Sequence, residues 1–335
     1  MVLLRFSSLS GVEGRGFRAL NIINLEDRTM NTDRKLILVT RHTRLHELKR
    51  KYGTLGQAKF YIEHLGESFK QYEVEDALFW SVQKQVLSFM KTTGRVQQLD
   101  RSYLPTYQFS QDDVVIVLGQ DGLVANTLKY LTGQSVIAIN PSPKSYDGIL
   151  LPFVVGDLPL VMADVLSNQM KSKSITMAEA KTNLGDSLLA VNDLFIGPKS
   201  HTSARYEMQW GNKKESHSSS GVIVSTGLGS TGWFKSLIAG ASGIAGKPVQ
   251  KHIANGFDWD SDFLYYTVRE PFPSNVSKTN LVFGKVNARK PLTLKSKMAE
   301  NGVIFSDGLE NDYLEFTAGV TATIKVSDTQ GVLVV

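Results

Sequence analysis

Three short stretches of this 335-residue chain hold residues whose types and spacing could do chemistry together. The first is Gly119-Gln120-Asp121-Gly122. Five apolar residues, Val114 to Leu118, run into it, and helical spacing follows, with Leu123, Thr127, Leu128 and Leu131 on one face. A turn at the carboxyl end of a buried strand, opening a helix, is where α/β proteins hold phosphates, because unpaired backbone N–H groups and the positive helix end point there. Asp121 in such a turn is either a turn former, the commoner use of the residue, or a base set beside a phosphate. The second stretch is Asn192-Asp193, inside the strand-like apolar run Leu188 to Ile196. The third is Thr226-Gly227-Leu228-Gly229-Ser230-Thr231-Gly232, followed by Trp233. It contains a literal Gly-x-Gly-x-x-Gly between a strand and a helix, which is a weak fingerprint by itself. A dinucleotide fingerprint opens a βαβ unit and has an acidic residue about 20 positions on. Here the neighbours read as antiparallel strands and Asp258 lies beyond a turn, so a Rossmann oxidoreductase is the poorer reading. What remains is a small-residue turn that lets a ligand approach the backbone.

Basic residues supply further candidates. The strand Leu36 to Thr40 is followed by Arg41, His42, Arg44, His46, Lys49, Arg50 and Lys51, the densest basic stretch in the chain. On a helix most of these form a solvated face. Arg41 and Arg44, at the carboxyl end of a strand, are instead placed to hold phosphates in the same crevice as Asp121. A second short strand, Ser135 to Ile139, ends in Asn140-Pro141-Ser142-Pro143-Lys144, where two prolines exclude a helix. If the sheet is parallel, this loop opens on the same side, which makes Asn140 and Lys144 candidates too. No metal ligand is assigned: the six histidines show no paired spacing, and Asp258 to Asp262 lacks the glycine and closing glutamate of a calcium loop.

The elements that must position these residues divide the chain. Helical spacing from Gly56 to Met90 and from Leu158 to Met170, between apolar strands, predicts an α/β domain with a mostly parallel sheet over residues 30–171. Residues 172–335 read as a β-rich, sandwich-like domain of short segments, among them Leu264 to Val268, Asn280 to Phe283, Leu292 to Ser296, Tyr313 to Phe316, Thr321 to Val326 and Gly331 to Val335. A short helix, Trp233 to Ala241, interrupts it. Residues 1–29 read as a disordered leader or an over-called start. Their arginines and serines faintly suggest a transit segment, but Glu13, Glu26 and Asp27 argue against one. The expected compartment is cytoplasmic, or the mitochondrial matrix should those residues be a transit segment. With 37 basic and 32 acidic residues the net charge is +5 and the pI near 9.1, a balance that favours anionic small molecules without calling for nucleic acid. No apolar run reaches the roughly 18 residues of a membrane helix. The absence of cysteine excludes disulfides, thiolate metal sites and a cysteine nucleophile.

Taken in order, the Gly-x-Asp-Gly turn, LAVNDLFIG and SSSGVIVSTGLGSTGW resemble the three motifs of NAD kinases, within the wider NAD kinase and diacylglycerol kinase-like superfamily. VTRHTRLHELKRKYG, NPSPKSYDGILLP and the tryptophan of the third motif are similar to the mitochondrial-type branch. The likeness runs from about Lys35 to Ser306-Asp307-Gly308. It implies two domains with a nucleotide crevice between them, a homodimer or homotetramer, and transfer of a phosphoryl group from ATP, as its Mg²⁺ complex, to the adenosine 2′-hydroxyl of NAD, giving NADP. In that scheme Asp121 takes the hydroxyl proton as the P–O bond forms. Gly122, Asn192, Asp193, Thr226, Gly229, Ser230, Thr231 and Trp233 hold NAD, while Gly119, Gln120, Arg41, Arg44, Asn140 and Lys144 face the donor phosphates. Trp233 serves either as a stacking surface or as core.

The sequence departs from the motif at Gln120, where the family has glycine, and at Leu123, where it has threonine. If position 120 needs a left-handed backbone, a side chain there costs roughly 1 to 2 kcal/mol. If it needs close phosphate approach, donor binding suffers, unless the Gln120 amide donates to a phosphate oxygen. Two alternatives follow: a catalytically impaired dinucleotide-binding protein, or a kinase for another small acceptor such as a nucleotide, sugar or lipid. Asn192-Asp193 speaks against a lipid, which would need an apolar groove.

Overall fold

The computed structural model describes residues 31–249 and 251–335; the expected leader, residues 1–29, therefore lies outside the described residues. The amino-terminal half alternates strands and helices: β1 (Thr32–Thr40), α1 (Arg44–Tyr52), α2 (Leu55–His64), α3 (Phe69–Thr93), β2 (Gly94–Asp100), β3 (Val114–Leu118), α4 (Asp121–Leu128), β4 (Ser135–Ile139) and α5 (Leu158–Leu166). β2, β1, β3 and β4 pair in that order, all parallel. Leu36 to Val39 and Val115 to Leu118 are completely buried because helices cover both faces of this sheet. Leu38, Ile116 and Ile137 meet α3 and α5, while Ile37, Val117 and Ala138 meet α4. This is why the strands read as continuous apolar runs.

The second half is β5 (Ser172–Thr182), β6 (Ser187–Ala190), β7 (Asp193–Pro198), β8 (Ala204–Trp210), β9 (Lys213–Ser219), β10 (Val222–Ser225), α6 (Trp233–Ala245), α7 (Lys251–Ala254), β11 (Leu264–Val268), β12 (Phe283–Val286), β13 (Leu292–Ser296), β14 (Gly302–Ser306), β15 (Leu309–Glu315) and β16 (Thr321–Val334). A six-stranded antiparallel sheet, β12-β11-β10-β7-β14-β15, packs against β5, β6, β8, β13 and β16 through a shared apolar core that includes Ile196, Tyr206, Val224, Tyr266 and Ile324. The result is a parallel α/β layer joined to a β-sandwich.

Several expected elements differ in detail. The two expected strands Thr321 to Val326 and Gly331 to Val335 are one long strand, Thr321–Val334, with an irregularity between Val326 and Gln330. Its end, Val332-Leu333, runs parallel to β4 and ties the carboxyl terminus into the first sheet. The expected strand at Asn280 to Phe283 is Phe283–Val286, that at Tyr313 to Phe316 is Leu309–Glu315, and the interrupting helix runs to Ala245. Leu188 to Ile196 is not one strand. It breaks at Val191-Asn192, with β6 in the first sheet and β7 in the second. The break sets Asn192 and Asp193 where the chain crosses from one sheet to the other. Among the described residues, no helix is long and apolar enough to cross a membrane.

Candidate functional site

The Gly119 to Gly122 turn does what its sequence foretells: β3 ends and α4 begins at once. Gln120 is the N-cap, at φ −124° and ψ 165°. That backbone is extended, so glutamine stands there without the left-handed penalty. Its side-chain carbonyl accepts a hydrogen bond from the Arg41 guanidinium. At Gly119 a Cβ would sit 2.8 Å from a Leu123 methyl, so the glycine serves contact with the protein's own helix. The Asp121 carboxylate, half-exposed in the first turn of α4, accepts the Leu150 N–H at 2.7 Å.

Arg41 and Arg44 leave the carboxyl end of β1 as expected, but their surroundings differ. Arg44 is engaged by Glu75 of α3, its Nε 2.7 Å from Oε2, and lies over the Tyr72 ring. The Glu75 ion pair raises the Arg44 pKa further. The other Glu75 oxygen takes the Tyr146 hydroxyl at 2.9 Å. Arg41 is half-buried, and burial, followed by repulsion from Arg101, lowers its pKa. The clefts it lines include two of about 700 and 880 Å³, the first shared with Gln120 and Tyr146, the second with Arg101, Asn126 and Asp312.

Asn140 is spent on its own loop. Its amide donates to the Tyr146 carbonyl at 3.1 Å and its oxygen accepts the Ser142 N–H at 2.9 Å. Gly148, at φ +62°, lies where a Cβ would strike that amide at 2.6 Å. Lys144 is exposed on the same loop and lines neither cleft.

A separate cleft of about 290 Å³ brings Asn192, Asp193, Gly229, Thr231 and Trp233 together with Phe305 and Asp307. It is assembled by hydrogen bonds between the second and third motifs. The Thr226 hydroxyl donates to the Val191 carbonyl at 2.5 Å and accepts the Gly229 N–H at 3.1 Å, while its own N–H reaches the Asn192 carbonyl at 2.9 Å. A Cβ on Gly229 would lie 2.2 Å from that Asn192 carbonyl, and one on Gly227 would lie 1.9 Å from the Asp258 carbonyl. These two glycines thus admit the chain's own backbone, and Gly229 also lines the cleft. Ser230 is equally committed, donating to the Gly227 carbonyl at 2.6 Å and accepting the Phe257 N–H at 3.1 Å. Trp233 is half-buried. Its ring stacks on Phe195 at 5.9 Å with Arg269 over it at 5.5 Å, so it is both packed and cleft-lining.

Asp307, which the motif reading passed over, organises this cleft. It sits at φ 54° in the β14–β15 turn, and its carboxylate accepts the N–H groups of Val191, Asn192 and Asp193 at 3.0, 2.6 and 3.2 Å. Lys129, just past α4 and buried, donates to Ser306 at 3.0 Å and to Asp312 at 2.7 Å, bracing that hairpin against the α/β domain. Burial raises the Asp307 pKa despite its three backbone donors and Lys129. Asp193 is pushed up to about 7 by burial, with the Ser225 hydroxyl opposing and the Asp307 charge adding to the shift. One oxygen of Asp193, Oδ1, is buried without a hydrogen-bond partner. Asp121 and Gly122 line none of these three clefts.

The same arrangement of layers occurs in solved structures. An NAD kinase from Archaeoglobus fulgidus in complex with ATP superposes with a TM-score of 0.52 at 14% identity, over 89% of this chain and 92% of that one. Yeast NADH kinase complexed with NADH gives 0.52 at 13%, over 90% and 84%. This chain has the NAD kinase fold. No family model and no curated protein matches the sequence. The NAD kinase fold accounts for the joined α/β and β-sandwich halves.

Proposed function

We propose that the protein is an NAD kinase, of the mitochondrial-type branch, that transfers the terminal phosphoryl group of ATP to the 2′-hydroxyl of NAD's adenosine ribose. The observation that carries this reading is the 290 Å³ cleft. It offers a buried carboxylate oxygen of Asp193 with no partner, an adjacent asparagine and the edge of a tryptophan. A buried acceptor without a partner is unfavourable unless a ligand donor fills it. Ribose hydroxyls and the carboxamide of nicotinamide are donors of that kind. On this reading Asn192, Asp193, Thr231 and Trp233 touch NAD, whereas Thr226, Gly229 and Ser230 shape the loop that presents them. Arg41, with Gln120 beside it, takes phosphate charge on the donor side.

Mg²⁺ belongs to the ATP substrate complex and spreads the charge of the transferring group. Asp121 is the general base: its carboxylate is held by one N–H and retains acceptor capacity for a hydroxyl proton. The test is NADP formation from NAD, ATP and Mg²⁺ in a coupled assay. Asp121→Asn is expected to abolish product while leaving the circular dichroism spectrum and melting temperature close to wild type. No product from the wild type at high enzyme concentration refutes the proposal.

A second reading, a dinucleotide-binding protein without transfer activity, is favoured by one observation: Asp121 bonds to Leu150 and lines none of the three clefts. It predicts that NAD raises the melting temperature and ATP does not.

A further inference from the structure

β9 turns Glu215, His217 and Ser219 toward the sandwich core, and all three are polar where an inner face favours apolar residues. Ser219 is matched, its hydroxyl 2.9 Å from that of Tyr206. Glu215 is matched by a distant segment: Oε1 accepts the Asn280 N–H at 2.9 Å and the Leu281 N–H at 3.3 Å, and Oε2 accepts the Asn280 amide at 3.2 Å. His217 is not matched. Its side chain is fully buried, its ring stacks on Tyr206 at 5.4 Å, and among the described residues neither ring nitrogen has a hydrogen-bond partner. A phenylalanine would fill that place without leaving two polar atoms unmet, so packing alone does not account for an imidazole.

The segment that Glu215 holds is the connection from β11 to β12. It runs along β9, the last strand of the ten-stranded path, with the Phe272 N–H on the Ser218 carbonyl at 2.9 Å and the Lys278 N–H on the Ser216 carbonyl at 3.0 Å. It thereby satisfies backbone groups that an end strand otherwise leaves open. At its head Arg269 reaches over Trp233, which lines the 290 Å³ cleft.

We propose that Glu215 and His217 form an acid-sensitive latch: Glu215 holds the 269–281 connection against β9, and a proton taken up by His217 releases it. His217 Nε2 lies 3.2 Å from Glu215 Oε1, the oxygen that carries both backbone N–H groups. Protonation sets a cation in the sandwich core and brings its N–H into competition with Asn280 and Leu281 for that oxygen. The groups facing the ring are Glu215 on its own strand, Tyr206 from β8 and, by way of Glu215, Tyr266 from β11; Lys297 meets β9 at the exposed Ser216 hydroxyl instead. Of those facing the ring only Glu215 is charged. Burial outweighs its attraction and lowers the His217 pKa from the ordinary 6.5. Glu215 stays ionised, because the Leu281 and Asn280 donors overcome its burial and hold its pKa below the ordinary 4.5. The closed latch therefore binds the proton more weakly than the open one. Closure is fully favoured above about pH 6.5 and loses ground as the pH falls below it. The latch does not depend on the kinase reading, and neither falls with the other.

The experiment is hydrogen exchange of the full chain, read by mass spectrometry at pH 8 and pH 5.5 and referred to an unstructured peptide at each pH. Opening of segment 270–282 should be several-fold more frequent at pH 5.5, up to about tenfold for one proton taken up a unit below the ordinary value, while β3 keeps its protection. His217→Phe preserves the stack on Tyr206 and cannot titrate, so its segment should open equally at both pH values. His217→Gln, neutral throughout, should agree with it. Opening that is independent of pH in the wild type overturns the inference. So does an equal pH response in whichever variant keeps the wild-type circular dichroism spectrum, or a response that runs uniformly through the chain.

Discussion

Asp193→Asn should make the protein more stable at neutral pH while weakening its hold on nucleotide. The Asp193 carboxyl titrates at about 7 in the folded chain against an ordinary value of 3.8, chiefly because it is buried. Between those values the folded state holds a proton that the unfolded state has released. Stability therefore falls as pH rises through this window and the contribution is gone above about 7. Each unit corresponds to about 1.4 kcal/mol, so the whole shift sets a ceiling of about 4 kcal/mol. Asparagine keeps the shape and cannot ionise, though it alters the contact with Ser225, worth about 1 kcal/mol. The group facing Asp193 most closely is Asp307, with Lys129 behind it. Both remain in the variant, which isolates the Asp193 charge. Urea denaturation at pH 5 and pH 8 should show the variant's advantage growing by about 2 to 3 kcal/mol across the two pH values, at unchanged m-value. In parallel, the thermal stabilisation by NAD should shrink. A stability difference that is flat with pH, or a variant less stable than wild type at pH 8, refutes the assignment of a buried, unsatisfied acid.

Two further substitutions test the frame around that acid. Gly229→Ala would drive a Cβ to 2.2 Å from the Asn192 carbonyl, so a loss of about 1 to 3 kcal/mol in stability is expected from overpacking. The loss should come with displacement of Asn192-Asp193, read as loss of the NAD-induced thermal shift; an intact shift would show that the loop does not present the ligand groups. Gln120→Gly should lower stability by roughly 0.5 to 1 kcal/mol, since glycine adds chain entropy where the backbone is extended. A more stable variant would mean that glutamine is strained there.

The β3–turn–α4 unit could be read from sequence because one short stretch encodes all of it: a strand buried on both faces, a turn and an apolar helix face. The strands Leu264–Val268 and Leu292–Ser296 were legible to the residue for a similar reason, alternating on a single buried face. The break at Val191-Asn192 was not. Leu188 and Ala190 serve one sheet and Leu194 and Ile196 the other, yet all join the same sandwich core, so hydrophobicity is continuous across the crossing. β2 and β9 went unseen because GRVQQLD and KKESHSS are polar strands at the two ends of the ten-stranded path. Glu75 and Tyr146 reach the Arg41 side from elements distant in sequence, and nothing local marks them. Asp307 did leave a trace: Ser-Asp-Gly is a turn signal, and aspartate tolerates the left-handed backbone found there.

Hydrogen-bond accounting separates the motif residues more finely than motif membership does. Thr226, Ser230 and Asn140 have donors and acceptors filled from within, at 2.5 to 3.2 Å, so their hydrogen bonding goes into loop shape. Among the described residues, the cleft-lining groups left unsatisfied include the Asp193 Oδ1 and the Asn126 Oδ1, without a hydrogen-bond partner, and the Arg41 and Arg101 charges, without an ion-pair partner. They fall in two clefts, and the hairpin carrying Asp307 and Asp312 borders both, Asp307 on the smaller and Asp312 on the larger. Lys129 holds that hairpin to the end of α4, the helix that starts with Asp121. The carboxyl end of α4 is thereby linked through Lys129, Ser306 and Asp307 to the backbone of Asn192 and Asp193. On the kinase reading proposed above, this chain of contacts keeps Asp121 and the Asn192-Asp193 loop at the fixed spacing that in-line transfer requires.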